Sequence, residues 1–145
     1  MVVYDLSPEA VGRMVAVDLA TVQEPPPSQI GPFDFHGCIC GVASFSGQPP
    51  WELHTSGDEL LQILAGDCEL TVLVDGTEDR RSLHQGDLVL VPQGCWHRNH
   101  ARKAVTMLFM TPREGGRHSW DDPRGARLGR SDQIGSDRGG RHPAA

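Results

Sequence analysis

Glu52, His54, Glu59 and His97 are the residues whose types and spacing could do chemistry together. Imidazole nitrogens and carboxylate oxygens are donors for divalent ions such as Fe, Mn, Ni or Zn, and donor type alone does not choose among them. Glu52 and His54 stand two apart in Trp51-Glu52-Leu53-His54, so in an extended strand both side chains leave one face and Leu53 leaves the other. Thr55-Ser56-Gly57-Asp58 reads as a polar turn, after which Glu59 opens the next strand beside the one that carries His54. His97 lies just past Pro92-Gln93-Gly94, a second turn signal, beyond the apolar run Leu88 to Val91. His54, His97 and Glu59 on one wall would make a facial triad with open positions, a set that suits ferrous iron in oxygen chemistry. Glu52 has three roles open to it. It is a fourth ligand that neutralises the ion, an acceptor that fixes the tautomer of His54, or a catalytic general base.

These residues need strands to position them, and the central chain supplies short ones punctuated by turns. Strands are expected over Met14 to Leu19, Ile39 to Phe45, Glu59 to Leu64, Cys68 to Val74, Arg80 to His84, Leu88 to Val91 and Ala104 to Thr111. Asp75-Gly76 is a hairpin signal, and Ser7-Pro8 can cap and open a short helix. Residues 23–33, with three consecutive prolines and Gly31-Pro32, read as a loop. Strands of this length and spacing argue for an all-β barrel or sandwich. Cys40, Val42, Leu61, Met107 and Phe109 are the expected apolar wall of its cavity. Trp51 and Trp96 alternate away from their neighbouring ligands and read as core or interface anchors. His36, His84 and His100 read as surface groups.

The chain of 145 residues has one domain's length, with 38% apolar residues. Its net charge of −6 argues against a nucleic-acid partner. No apolar run approaches a membrane span and the start, MVVYDLSPEA, lacks a signal-peptide pattern, so a cytoplasmic location is expected. The four cysteines Cys38, Cys40, Cys68 and Cys95 are then expected reduced. Beyond Pro112 the composition changes. Residues 113–145 carry seven arginines against five acids and few aliphatics, so the chain is expected to divide into a barrel over 1–112 and a Gly/Arg-rich, weakly structured tail over 113–145. His118 and His142 fall in that tail, and Trp120 is its expected anchor.

The spacing resembles the two sequence motifs of the cupin superfamily. Glu52 and His54 are followed by Glu59 after four intervening residues and by Gly66 after six more. Gly86, Pro92, Gly94 and His97 stand in the register of the second motif. The resemblance spans Gly47 to Ala101 and departs at two places: Glu52 stands where the family usually has His, and Ala101 where Asn often follows. It implies a small single-domain cupin, a double-stranded β-helix or jelly-roll barrel with a short N-terminal extension and an irregular C-terminal tail. It also implies a homodimer, with an N-terminal strand or Trp120 crossing between subunits. His54, Glu59, His97 and Glu52 would hold the divalent metal ion, although some cupins keep such residues as a metal-free polar cluster.

Two function classes follow. One is a metal-binding cupin acting on a small organic molecule such as a diketone, phenol or carboxylic acid. There Glu52 serves as ligand or base, in dioxygenase or isomerase/lyase chemistry. The other is a non-catalytic binding or sensory module that holds its ligand unchanged. The same barrel supports both.

Overall fold

Apolar alternation in the central chain resolves into nine strands and one short helix in a computed structural model, which describes residues 1–22 and 24–125. Helix α1 (Pro8–Gly12) opens as expected, with the Ser7 hydroxyl accepting the Ala10 amide at 3.2 Å. Strands β1 (Val17–Asp18), β2 (Ser28–Phe35), β3 (Cys38–Gly47), β4 (Trp51–His54) and β5 (Glu59–Val74) follow. Strands β6 (Thr77–His84), β7 (Leu88–Val91), β8 (His97–Pro112) and β9 (Gly116–Ser119) complete the set.

Two strands of 16 residues, β5 and β8, pair antiparallel and belong to both layers of the fold. The first half of β5 and the second half of β8 lie in one layer with β3 and β7, with β2 and β1 beyond β3. Their other halves lie in the second layer, where β6 pairs with β5 and β4 pairs with β8 through Glu52 and His97. Strand β9 closes that layer by pairing with β4. This is a double-stranded β-helix, and all-β as expected. The core packs between the layers around Phe45, Leu61, Ile63, Leu70, Val105 and Met107. No helix among the described residues is long and apolar enough to cross a membrane. All four cysteines are free.

The transfer of β5 between layers explains why two expected strands are one. Glu59, Leu61 and Ile63 are buried on odd positions, but Cys68 and Leu70 are buried on even ones. A change of parity needs an extra residue, and the pairing with β8 is irregular between Ile63 and Ala65 and between Gly66 and Glu69. Gly66 sits there with φ +78°, where a Cβ would come 2.3 Å from the Ala104 carbonyl oxygen. The turn at Asp75-Gly76 is the expected hairpin, with both residues at positive φ (51° and 80°) between paired Val74 and Thr77.

Four expectations are corrected. The proline-rich loop over 23–33 ends earlier, because Ser28 to Phe33 pair with β3 in β2. Pro32 is tolerated there because, among the described residues, β2 pairs with β3 alone and its pairing is irregular between Ile30 and Phe33. The first strand shrinks to Val17–Asp18, and the last begins at His97 rather than Ala104. Strand pairing also continues past Pro112 into β9, while residues 126–145 of the expected tail lie outside the described residues.

Gly66→Ala should lower stability by about 2 kcal/mol or more, since it combines a left-handed backbone with a clash against main chain. Urea unfolding of the two proteins would measure it, and near-equal midpoints would remove the argument.

Candidate metal centre

Glu52 and His54 leave the same face of β4 while Leu53 packs to the other side, as the alternation requires. His97 opens β8 directly opposite Glu52, and Glu59 opens β5 in the other layer, paired with Val91. The two turns that deliver Glu59 and His97 are tied together. The Gln93 amide donates to Asp58 Oδ1 at 2.8 Å, the Gln93 side chain donates to the Thr55 carbonyl, and the Gly94 amide donates to the His54 carbonyl at 2.8 Å. Asp58 thus locks a turn.

All four side chains converge. One ligand atom from each of Glu52, His54, Glu59 and His97 lies within 4.8 Å of the others. Glu59 Oε2 is 2.8 Å from His97 Nε2, and Glu59 Oε1 is 3.5 Å from His54 Nε2. Glu52 Oε2 stands 3.8 Å from His54 Nε2 and 3.9 Å from His97 Nε2. His54, Glu59 and His97 are buried, while the Glu52 side chain keeps 25% of its surface.

Buried polar atoms are normally satisfied by hydrogen bonds. Here both nitrogens of His54 and Nε2 of His97 have no partner of acceptable geometry. The 2.8 Å approach of Glu59 to His97 is therefore close without being a directed bond along the ring nitrogen. His97 Nδ1 lies 3.3 Å from the Cys95 carbonyl, a contact that places its proton on Nδ1 and leaves Nε2 as a free donor pair. Two unsatisfied imidazole nitrogens facing two carboxylates are what a divalent cation would complete. The donor set fits such an ion.

Electrostatics in the metal-free chain point the same way. Burial pushes the Glu59 carboxyl up, but His54, His97 and the Thr111 hydroxyl outweigh it and hold its pKa down to about 2. Burial pushes His54 down, but the Glu52 and Glu59 carboxylates raise it to about 9. Glu52 is likewise lowered, against its burial, by His118 and His54.

The centre opens on a cavity of about 270 Å³ with an apolar wall that includes Ile39, Ala43, Phe45, Leu61, Met107 and Phe109. Leu61, Met107 and Phe109 stand where the sequence reading put them. Cys40 and Val42 do not: both are buried but absent from the cavity lining, because β3 turns its odd residues inward. Both faces of β3 are apolar, so alternation could not choose between them. Trp51 is fully buried beneath the Arg98 guanidinium at 4.4 Å and stays off the cavity, as alternation requires. Trp120, the expected anchor, is half exposed.

Three contributors were missed. Thr111 donates to Glu59 Oε1 at 2.5 Å, Asn99 lines the cavity, and His118 of β9 stands 3.6 Å from Glu52 Oε1. Alternation of the last strand could have flagged Thr111 beside Met107 and Phe109. Nothing in Gly116-Arg117-His118-Ser119 announces a strand. His142 lies outside the described residues.

Comparison with known proteins agrees with this architecture. No curated protein sequence matches the chain. A conserved protein of unknown function from Streptococcus pyogenes shares 21% identity over 78% of this chain and 88% of its own, with a TM-score of 0.54. A cupin-2 domain containing protein from Shewanella frigidimarina shares 15% identity over 66% and 88%, with a TM-score of 0.51. Hydroquinone 1,2-dioxygenase in complex with Cd2+ and 4-hydroxybenzonitrile shares 18% identity over 65% and 68%, with a TM-score of 0.53. At such identities the likeness is one of fold. The family model for the Cupin domain matches residues 44–111, which run from β3 through β8 and include all four converging residues. With that match and this barrel, residues 44–111 are a cupin domain.

Proposed function

We propose that this chain is a metal-dependent enzyme acting on a small organic molecule bound in the barrel cavity. The observation that carries the reading is the convergence of Glu52, His54, Glu59 and His97 with imidazole nitrogens left unsatisfied at the floor of an apolar cavity. His54, His97 and Glu59 would hold the ion, with Glu52 as fourth ligand. A bound divalent ion supplies Lewis-acid polarisation of a substrate oxygen, or oxygen chemistry if it is iron.

The chain's own residues do the rest. Leu61, Met107 and Phe109 seat the apolar body of the substrate and keep water off its reacting end. Glu52 is the least buried of the four and lines the cavity, so it is also the group placed to take a proton from a bound carbon or hydroxyl acid. One protein of similar fold was crystallised with Cd2+ and 4-hydroxybenzonitrile, a pairing of the kind proposed here.

Metal content by mass spectrometry tests the reading, followed by incubation of the loaded protein with a panel of diketones, phenols and carboxylic acids. Near-stoichiometric metal, lost in both His54→Ala and His97→Ala, is the expected result. Oxygen uptake with substrate would mark an oxygenase, and product without uptake an isomerase or lyase. A metal-free chain after anaerobic reconstitution, or a ligand of unchanged mass, would turn the assignment toward the binding module.

Proton linkage supplies a second check. His54 is raised above its ordinary 6.5, so its contribution to metal-free stability is complete below that value and is lost as pH rises through about 9. Glu59 is depressed below 4.5, so its contribution is complete above that value and is lost as pH falls through about 2. The metal-free protein should therefore have a melting plateau between roughly pH 4.5 and 6.5 from these groups, and decline toward pH 9. An ion requires the neutral imidazole, so metal binding near pH 7 should release a proton and strengthen toward pH 9. Calorimetry in two buffers of different ionisation enthalpy would read the release; none would contradict the state assigned to His54.

The reading extends to a homodimer. Leu88 and Leu90 are more than half exposed on β7, which among the described residues pairs with β5 alone. A monomer mass by light scattering would remove it.

A further inference from the structure

Strand β9 lies beyond the region that matches the family, yet it forms one side of the metal centre. Its register against β4 puts His118 opposite Glu52 and Gly116 opposite His54. The connection from β8 is fastened to the turn after β4. The Thr55 amide and hydroxyl both donate to the Gly115 carbonyl, at 3.3 and 3.1 Å, and the Ser56 hydroxyl donates to the Glu114 carbonyl. Gly115 has φ +74°, and any Cβ there would overlap Thr55 Oγ1. The strand is thus held to one register.

The consequence falls on Glu52. The two carboxylates of the centre differ in how they present their oxygens. Glu59 turns both to the cluster, Oε1 to His54 at 3.5 Å and Oε2 to His97 at 2.8 Å, with Thr111 also donating to Oε1. For Glu52, Oε2 faces His54 and His97 at 3.8 and 3.9 Å, and Oε1 faces His118 Nε2 at 3.6 Å. Glu52 is the more exposed of the two carboxylates and has several rotatable bonds to order. Without a neighbour on Oε1, its carboxylate is free to turn out of the cluster or to present both oxygens to it.

We propose that His118 is a positioning residue of the metal centre, holding Glu52 Oε1 so that a single oxygen of that carboxylate is presented to the ion. This rests on the metal-dependent reading above. It makes β9 a functional addition to the family barrel, and it gives Glu52 a partner outside the matched region.

Mn2+ binding to the metal-free full chain tests the proposal, by calorimetry and by the electron paramagnetic resonance spectrum of the bound ion. Partners that orient ligands typically contribute 10–100-fold in metal affinity, so His118→Ala should weaken Mn2+ binding by about that factor and change the spectrum as the denticity of Glu52 changes. His118→Gln, which keeps a side-chain donor, should recover most of both. Arg117→Ala, on the same strand but off the cavity, should match the wild type in each. Wild-type affinity and spectrum in His118→Ala would overturn the positioning role while leaving the metal centre intact. Equal losses in Arg117→Ala and His118→Ala would also overturn it, by assigning the effect to strand pairing. A wild-type chain that takes no Mn2+, and no other divalent ion, would overturn the metal reading and this role with it.

Discussion

A carboxylate at 3% exposure is the constraint around which the barrel is arranged. An ionised Glu59 between two β-layers would be strongly destabilising if left alone, because the interior cannot replace the water it loses. Its surroundings answer that cost with three residues from two strands. Thr111 donates from β8, His97 faces it from the opposite end of β8, and His54 approaches from β4. None of these is a sequence neighbour of Glu59 except through the Thr55–Asp58 turn. The charge therefore cannot be accommodated until both layers have closed, and the site is a product of the whole fold rather than of one loop.

That dependence explains how the polar architecture around the site is built. The turns before Glu59 and before His97 are joined by Asp58 and Gln93, so the two motif segments move as one piece. The His54 carbonyl accepts from Gly94 and the next amide donates to Gly115, so β4 is gripped from both sides. Against this framework, the unsatisfied nitrogens of His54 and His97 stand out, the Trp51 indole nitrogen being the other buried polar side-chain atom left without a partner among the described residues. Unlike the indole, the two imidazole Nε2 atoms face two carboxylates, an arrangement that fits a ligand of positive charge.

Much of this was legible in the chain. Period-two alternation put Glu52 and His54 on one face, and the in-register glycines and prolines of the two motifs located the turns that present Glu59 and His97. The hairpin at Asp75-Gly76 was equally direct, because that turn needs positive φ at both residues. What failed did so for physical reasons. The sequence Ala65-Gly66-Asp67 looks like a turn and is a bulge, since glycine serves both when a strand passes from one layer to the next. Cys40 and Val42 fell on the wrong face because Ile39, Ala43 and Phe45 are as apolar as they are, and only tertiary register breaks the tie. His97-Arg98-Asn99-His100 lies ahead of the expected last strand, Ala104 to Thr111, yet it opens β8. Its odd residues are buried, and His97 belongs to the converging cluster.

The glutamate at position 52 then has a consistent place. With His54 and His97 neutral, Glu52 and Glu59 together match the charge of a divalent ion, whereas a third imidazole in place of Glu52 would leave a net positive centre. A neutral centre in an apolar cavity is a weaker Lewis acid and a milder attractor of anions. It favours harder ions such as Mn or Fe(II), and a substrate that binds through its apolar body as much as through its chelating atoms. Glu52 also stands at the rim, where solvent still reaches a quarter of it, so a base at this position would exchange its proton with water. On the proposed reading Glu52 is both donor and base, which requires its two oxygens to be kept distinct. The strand that arrives after the barrel is complete, with His118 on one oxygen and the donor cluster on the other, supplies that distinction.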